Sequence, residues 1–570
     1  MIKMHSEMLF SLWASFALFA HTIAQHTDPG APTATIDAGV VIGKTTQLPA
    51  ATAPVNQFLG IPFAKSPPKR FMPAEKPDRF SEPIVATSWS PACIQQFVYP
   101  EIVSNFAKFI FDNPSSKESE DCLYLNVYAP SSPPPPGGRA VLFWIYGGAL
   151  HFGNAGMHFY DGSNFAAYED VIVVSANYRT NVFGFPASPE IPLEKRNLGF
   201  LDQRLALDWV QRNIAAFGGS PKKVTIFGES AGAWSIDAML TSYDSKSKPP
   251  FRAAILQSGQ ISYKYMPQKS SVPAWKKLVT ALNCPGSHET DLACVSAANA
   301  TEIRKIISEG IIEFNPVADN KTLMSFPAAQ RLKGDIAFIP VLGGSNSQEG
   351  RVFALTTTNA SAFLEAQGTV DGSIINNLVR NIYPLNSPLV GSTDYDQAAQ
   401  ILTEMVFQCS QARWANDTAM IGIPTWRYYY NATFPNTQPW ANLGVFHSSE
   451  IPVVFGTYAA SNTTTQEYAL SQFIMGAWAK FAKNPLGGPG WNPVGSGAPG
   501  WMIAGDYGMA TAGFLVAENS TMNEGGHSLG VLGNRGGNMG SGVTVIDQNE
   551  VDFRCHVFDS VYATFNTPPT

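Results

Sequence analysis

The chain has 570 residues, of which 45% are hydrophobic and 14% charged, and its formal net charge is −7. This mixture is typical of a folded globular protein and excludes an intrinsically disordered chain. The mild negative charge, without long runs of either sign, excludes a basic surface for nucleic acid.

The N-terminus has the pattern of a secretory signal peptide. Lys3 precedes an apolar stretch over residues 8–20, and small residues lead to a cleavage site after Ala24. The stretch is short for a membrane span, although an uncleaved anchor is the alternative. The C-terminus ends polar, without the hydrophobic tail of a lipid-anchor signal. We expect residues 1–24 to be removed, residues 25–570 to form one secreted domain, and no stable membrane anchor.

Short apolar runs predict buried strands along the chain. These runs cover residues 140–146, 171–175, 224–227, 253–256 and 338–342. Helical patterns lie between some of them; one has its apolar residues spaced over 201–214 and ends at Gly218-Gly219. The alternation predicts an α/β protein with a mostly parallel sheet covered on both sides.

Two segments lack this periodicity. Residues 131–138 are rich in proline and glycine but lie between two strand patterns, which favours a surface loop over an interdomain linker. Residues 486–542 are rich in glycine and predict long loops.

The pattern Gly-x-Ser-x-Gly occurs twice, around Ser230 and around Ser528. It can place a nucleophilic serine on a sharp turn from a strand into a helix. Residues 224–227 predict the strand and residues 231–240 the helix, whose N-terminus would favour a developing oxyanion. The flanks of Ser528 predict neither, so we expect Ser528 in a loop and Ser230 as the nucleophile.

A serine hydroxyl needs a base, usually a histidine that a carboxylate orients. In this strand–turn–helix arrangement the chain order is serine, acid, histidine. The histidines after Ser230 are His288, His447, His527 and His556. Before it, paired glycines at 147–148 follow a strand pattern, and their backbone N–H groups can face a carbonyl oxygen.

Six cysteines in a chain with a signal segment predict disulfides, with about 15 possible pairings. They lack the Cys/His spacing of a zinc site, so we expect no metal. Seven Asn-x-Ser/Thr sequons support passage through a glycosylating pathway. The sequons begin at Asn299, Asn320, Asn359, Asn416, Asn431, Asn462 and Asn519.

Several longer motifs together resemble the type-B carboxylesterases, a family that includes cholinesterases and some fungal lipases. They cover residues 58–64, 120–127, 177–179 and 197–232. The resemblance spans nearly the whole mature chain. It implies an α/β-hydrolase fold, with a large, mostly parallel central sheet flanked by helices and with long loop and helical insertions.

The resemblance also implies catalytic roles. Residues 344–350 look like the family's acid segment, so Glu349 would orient the histidine. Residues 445–452 look like its histidine segment, so His447 would be the base for Ser230. Considered singly, Glu349 is more often a surface carboxylate and His447 a structural imidazole, but the matched segments and their order favour the catalytic roles.

The implied oxyanion donors are the backbone N–H groups of Gly148, Ala149 and Ala231. Ala149 stands where many members have a third glycine, and its methyl could narrow the site against bulky alcohols. Ser258 matches a serine that braces the triad from behind; the alternative is an ordinary serine at a strand end.

The resemblance implies disulfides Cys93–Cys122, Cys284–Cys294 and Cys409–Cys555. It implies that the protein cleaves small-molecule carboxylic esters through an acyl-enzyme, with no metal or organic cofactor.

The sequence leaves three interpretations of the function: a carboxylesterase, a lipase or sterol esterase with a mobile lid, and a non-catalytic adhesion protein. The loop 94–121 lacks the tryptophan that cradles choline in cholinesterases, which argues against choline esters. Its apolar residues Ile102, Phe106, Phe109 and Ile110 lie at helical spacing. That helix is either packed on the body or the mobile lid of a lipase or sterol esterase that contacts lipid transiently. A non-catalytic adhesion protein on the same fold is the third, and the complete set of catalytic candidates argues against it.

Overall fold

The computed structural model describes residues 30–97, 101–263, 271–287, 289–367, 372–440, 443–495, 528–533 and 542–566. The predicted signal peptide, His288, His527 and the sequon at Asn519 lie outside these residues. Within them, none of the helices has the length and apolar character needed to cross a membrane.

Fourteen β-strands lie in the described part of the chain. They are β1 (Thr33–Ile36), β2 (Gly39–Ile42), β3 (Lys44–Thr46), β4 (Val55–Pro62), β5 (Ile84–Val85), β6 (Tyr124–Pro130), β7 (Arg139–Ile145), β8 (Ile172–Ala176), β9 (Gly219–Glu229), β10 (Ala253–Gln257), β11 (Val341–Asn346), β12 (Thr425–Tyr430), β13 (Ser528–Leu532) and β14 (Val543–Asp547).

The same residues form seventeen α-helices. They are α1 (Glu101–Phe111), α2 (Ser163–Glu169), α3 (Asn181–Gly184), α4 (Leu198–Asn213), α5 (Ala231–Thr241), α6 (Val272–Ala281), α7 (Asp291–Ala297), α8 (Ala300–Glu309), α9 (Pro327–Leu332), α10 (Ala360–Ala366), α11 (Gly372–Asn377), α12 (Asp394–Leu402), α13 (Cys409–Met420), α14 (Ile451–Phe455), α15 (Thr465–Lys483), α16 (Asn549–Asp552) and α17 (Asp559–Ala563).

Eleven strands form one large sheet in the order β14-β13-β12-β11-β10-β9-β7-β8-β6-β4-β3. The strands from β13 to β8 run parallel, while β14 at one edge and β6, β4 and β3 at the other run antiparallel to their neighbours. Strands β7, β8 and β10 are buried along their whole length, and α4, α5, α13 and α15 pack against the sheet. The helices are needed because parallel strands must be covered on both faces. The architecture confirms the predicted mostly parallel α/β fold.

Four of the five predicted strand runs correspond to β7, β8, β9 and β10. The run 338–342 is shifted, because β11 begins at Val341 and Phe338 is 43% exposed. The strand continues through Gly343 and Gly344, where a Cβ atom would come within 2.1 Å of Gln411 and 2.4 Å of Tyr428. Glycine is required there by packing, so the strand lacks the apolar signal that reveals the others.

Two other expectations agree with the structure. The predicted helix is α4, and Gly218, with a φ of 83°, ends the short 3-10 turn that follows it. The proline-rich residues 131–138 form a largely exposed loop between β6 and β7.

The expected loop around Ser528 is wrong. Ser528 begins β13, which is buried and pairs with β12 and β14. A Cβ atom at Gly530 would lie 2.9 Å from the Trp491 ring, so this glycine serves packing. Ser528 therefore stands at the start of a strand, whereas the nucleophile pattern needs a serine that follows one.

Candidate active site

Ser230 lies on the turn between β9 and α5, with φ 55° and ψ −119°. Such a conformation is strained for a residue with a side chain, and it is typical of a functional turn. A Cβ atom at Gly228 would lie 2.6 Å from the carbonyl oxygen of Ile145, and one at Gly232 only 2.0 Å from it. The two glycines thus let β9, α5 and β7 approach one another, which is the strand–turn–helix geometry that the pattern predicts.

The loop after β7 lies directly against this turn. A Cβ atom at Gly147 would come within 3.0 Å of Cβ of Ser230. Gly148 has a φ of 107° and Ala149 a φ of 56°. The left-handed conformation costs a residue with a side chain about 1 kcal/mol, so a glycine would adopt the backbone of Ala149 with less strain. Ala231 begins α5, so its N–H lies at the helix N-terminus.

His447 and Glu349 form a direct pair. Nδ1 of His447 lies 2.6 Å from Oε2 of Glu349, and both side chains are buried. The other oxygen of Glu349 accepts a hydrogen bond from the backbone N–H of Asn346 at 2.7 Å. Because a carboxylate can only accept, Nδ1 carries the proton when the imidazole is neutral, and Nε2 is then the nitrogen that can take a second proton.

A second carboxylate, which sequence reasoning missed, contacts the same imidazole. Nε2 of His447 lies 3.1 Å from Oε1 of Glu229, the residue immediately before Ser230. The Ser448 hydroxyl donates to the same oxygen at 2.7 Å. The signal was available, because Glu229 stands inside the Gly-x-Ser-x-Gly pattern, but the pattern assigns no role to that position.

A third buried carboxylate, Glu450, was also missed. It accepts hydrogen bonds from Nδ2 of Asn346 at 2.6 Å and from Nε2 of Gln257 at 3.2 Å. Asn346 thus links Glu450 to Glu349, so the site is a network rather than an isolated pair.

The electrostatics of this network favour a charged imidazole. Burial raises the pKa of Glu229 and of Glu450 above the usual range of a carboxyl group. Burial alone lowers the pKa of His447, but the carboxylates of Glu229 and Glu349 outweigh it and raise that pKa to about 9. The surroundings therefore stabilise the imidazolium that a general base becomes after it takes a proton.

Ser258 follows β10 and has a φ of 52°. Its backbone N–H donates to the carbonyl oxygen of Gly344 at 2.8 Å, while its buried hydroxyl makes no hydrogen bond within the described part of the chain. Its link to the site therefore runs through the backbone.

Helix α1 lies across the segments that carry the candidate residues. Its apolar face lies in one hydrophobic cluster with Phe152 of the loop after β7, Val352 just after the acid segment and Phe446 of the histidine segment. The sequence predicts four residues on the apolar face of this helix. Phe106 and Ile110 are buried, Phe109 is half-buried and Ile102 is 45% exposed. The predicted face is correct for three of the four residues.

Three disulfides are present among the described residues, with the pairings that the resemblance implies. They are Cys93–Cys122, Cys284–Cys294 and Cys409–Cys555. The first encloses α1, and the third joins α13 to the segment just before α17.

The sequons differ in accessibility. Four of their asparagines are exposed: Asn299, Asn320, Asn359 and Asn462. Asn431 is half-buried beside a cavity of about 720 Å³ that residues 347–348 and 444–445 also line. Asn416 is half-buried in α13, and the hydroxyl of Thr418 in its sequon is buried and bonded to the carbonyl oxygen of Trp414. Asn416 is therefore the least suited of these to carry a glycan on the folded protein.

Comparisons with known proteins identify the family and the fold of this chain. The carboxylesterase family model matches residues 30–506. The chain is 34% identical over 475 residues to an acetylcholinesterase of Bungarus fasciatus, and the match covers 76% of each protein. The solved structure of a PNB esterase matches with a TM-score of 0.70 and 27% identity, over 92% of this chain and 99% of that one, as expected for an α/β-hydrolase fold. The chain belongs to the carboxylesterase family and is a carboxylic ester hydrolase.

Proposed function

We propose that the protein is a secreted enzyme that hydrolyses small carboxylic esters through an acyl-enzyme formed on Ser230. The observation that carries the proposal is the hydrogen-bonded pair of His447 and Glu349, in which Nε2 of His447 also contacts Glu229, the residue next to Ser230. The strained turn at Ser230 is the second support.

In the first half-reaction, Nε2 of His447 takes the proton from Ser230 as Oγ attacks the ester carbonyl carbon. Nε2 contacts Glu229 in the resting structure, and its hydrogen bond to Oγ forms when substrate binds, since catalytic contacts tighten in the Michaelis complex. Glu349 holds the tautomer and stabilises the imidazolium.

The carbonyl electrons move to oxygen, which the N–H groups of Gly148, Ala149 and Ala231 bind. The tetrahedral intermediate then expels the alcohol, which leaves with the proton from His447. In the second half-reaction, His447 takes a proton from water, the hydroxide attacks the acyl carbon, and the carboxylic acid leaves as Ser230 regains its proton.

Secretion is supported by three further features. The N-terminal signal pattern, three disulfides and four exposed sequons are each expected of a chain that passes through an oxidising, glycosylating compartment.

The chain offers a matched pair of variants for the test. Ser230→Ala should lower kcat for a 4-nitrophenyl ester by about 10⁴-fold or more, because the nucleophile is lost. Ser528→Ala, in the second Gly-x-Ser-x-Gly pattern, should keep wild-type activity. Activity retained by Ser230→Ala would overturn the proposal.

A lipase with α1 as its lid is the second candidate. It is favoured by the position of α1 across three site segments and by the exposed Ile102 and Trp440 near it, since Trp440 packs on Phe106 of α1. The test is the rate of tributyrin hydrolysis across its solubility limit. A jump at the limit supports the lid, and a smooth saturation curve supports a carboxylesterase that acts on dissolved esters.

A further inference from the structure

Gln95 lies in the disulfide-closed loop and is fully buried. Each of its four polar groups is hydrogen-bonded. Its backbone N–H donates to Oε2 of Glu118 at 3.0 Å, and its carbonyl oxygen accepts from Nε of Arg304 at 3.2 Å. Its side-chain Nε2 donates to Oδ1 of Asp112 at 3.3 Å, and its Oε1 accepts from the backbone N–H of Gly153 at 2.7 Å. The side chain therefore bridges the loop after α1 and the loop after β7.

The chemistry of these partners fixes the orientation of the Gln95 amide. The Asp112 carboxylate offers lone pairs, so it faces Nε2, and the Gly153 N–H offers a proton, so it faces Oε1. A flipped amide would lose both bonds. The Gln95 side chain is thus held in one orientation by its two hydrogen bonds.

Gly153 in turn packs on the peptide of the proposed oxyanion donor. Its φ is 103°, and a Cβ atom there would lie 2.7 Å from the carbonyl oxygen of Gly147. That carbonyl and the N–H of Gly148 belong to one planar peptide unit and point in opposite directions. Gly153 therefore packs directly against the peptide unit that carries the Gly148 N–H.

Hydrogen bonds inside this loop tighten the coupling. The carbonyl oxygen of Gly148 accepts from the backbone N–H groups of His151 at 2.9 Å and Phe152 at 3.1 Å. A shift of Gly153 would thus move both sides of the Gly148 residue.

We infer that Gln95 is a positioning residue, which holds Gly153 and through it aims the Gly148 N–H at the ester oxygen. The inference rests on the proposed function, because it takes the Gly148 N–H as an oxyanion donor. It gives the Cys93–Cys122 loop a role in transition-state stabilisation beyond covering the site.

Gln96 is a close control for Gln95. It is the next residue, it is also fully buried, and its Nε2 donates to the carbonyl oxygens of Ile307 at 3.0 Å and Ile312 at 2.9 Å. A side-chain change at Gln96 removes a buried amide of the same kind without touching Gly153. Its backbone N–H, which donates to the carbonyl oxygen of His151, remains.

The test compares Gln95→Met and Gln96→Met in the full chain, since methionine keeps the side-chain volume of glutamine. Gln95→Met should lower kcat for a 4-nitrophenyl ester by about 10-fold or more while KM stays within about twofold, because a misdirected oxyanion donor affects the transition state. The affinity for a trifluoromethyl ketone, whose adduct on the serine carries an oxyanion, should fall by the same factor. Gln96→Met should lower the Tm similarly and leave kcat and that affinity unchanged. Equal kcat values for the two variants would overturn the inference.

If Gln95→Met does not fold, Asp112→Ala tests the same hydrogen-bonded bridge by a change at a half-buried residue. It removes the partner of Nε2, so kcat should fall by about threefold relative to Ser115→Ala, which loses only its bond to the other Asp112 oxygen. Equal kcat values for these two variants would contradict the inference.

Ser230→Ala, measured in parallel, separates this inference from the proposed function. Activity retained by Ser230→Ala overturns the proposed function itself. Loss of activity in Ser230→Ala, together with an unchanged Gln95→Met, overturns only the role of Gln95.

Discussion

Nδ1 of His447 lies 2.6 Å from Oε2 of Glu349, and this contact joins residues 98 positions apart in the chain. Glu349→Gln should lower kcat by about 10³- to 10⁴-fold, because an amide cannot hold the tautomer or stabilise the imidazolium. The measurement is steady-state hydrolysis of a 4-nitrophenyl ester, with the Tm recorded to show that the variant is folded. A folded variant with less than a tenfold loss would show that Glu349 is not the orienting acid.

The second prediction concerns Glu229, whose carboxylate raises the pKa of His447. The proposed base must be neutral to take a proton, so kcat/KM should rise with pH through the pKa of His447. Glu229→Gln removes a negative charge beside the imidazolium, which lowers that pKa. The acidic limb of the kcat/KM profile should therefore move to lower pH, by about one unit.

The matched control is Ser448→Ala, which removes the hydroxyl that donates to Glu229 but keeps the carboxylate. Its acidic limb should stay much closer to that of the wild type. A limb that does not move in Glu229→Gln, or that moves to higher pH, would show that Glu229 does not set the titration of the base.

Of the three proposed oxyanion donors, Ala149 is the one that has a methyl side chain and a left-handed backbone conformation. Ala149→Gly should relieve that strain and widen the site beside the alcohol group. The kcat/KM ratio of a tert-butyl ester to an ethyl ester should rise by about tenfold, the effect of one misplaced methyl group in a pocket.

Ala155→Gly is the control for this change, because Ala155 is buried nearby and its φ is not positive. Its ester ratio should match that of the wild type. An unchanged ratio in Ala149→Gly would mean that another side chain limits the alcohol group.

The disulfides predict a difference in stability that depends on loop length. The bond Cys409–Cys555 spans 146 positions and Cys284–Cys294 spans 10. Loop-closure entropy gives about 5 kcal/mol for the first and about 3 kcal/mol for the second. Replacing both cysteines of the long loop by alanine should lower the free energy of unfolding in urea by the larger amount, and the reverse order would contradict this entropic account.

The sequence predicts most of the fold and the candidate site because both leave local patterns. The strands from β7 to β10 are apolar runs, and the turn at Ser230 needs glycines at fixed positions. The pairing of His447 with Glu349 follows from matched segments and chain order, while no local pattern could show the distance between them.

What sequence reasoning missed lies where packing or long-range contact replaces the local pattern. β13 lies in a glycine-rich segment that lacks the apolar pattern of a strand. Gly530 is needed there because Trp491 lies against it. Glu229 and Glu450 look like ordinary carboxylates in the sequence, and burial beside His447 is what changes their chemistry. Gln95 has no motif, since the role we propose for it depends on Gly153, which lies 58 positions away.

The central claim is that Ser230 is the nucleophile, and covalent labelling tests it most directly. The full chain is treated with a fluorophosphonate, digested, and mapped by mass spectrometry, with Glu349→Gln treated in parallel. The account predicts one adduct, on the peptide that contains Ser230, formed more slowly in Glu349→Gln. An adduct on the peptide that contains Ser528, or no adduct on Ser230 in an enzyme that hydrolyses esters, would contradict it.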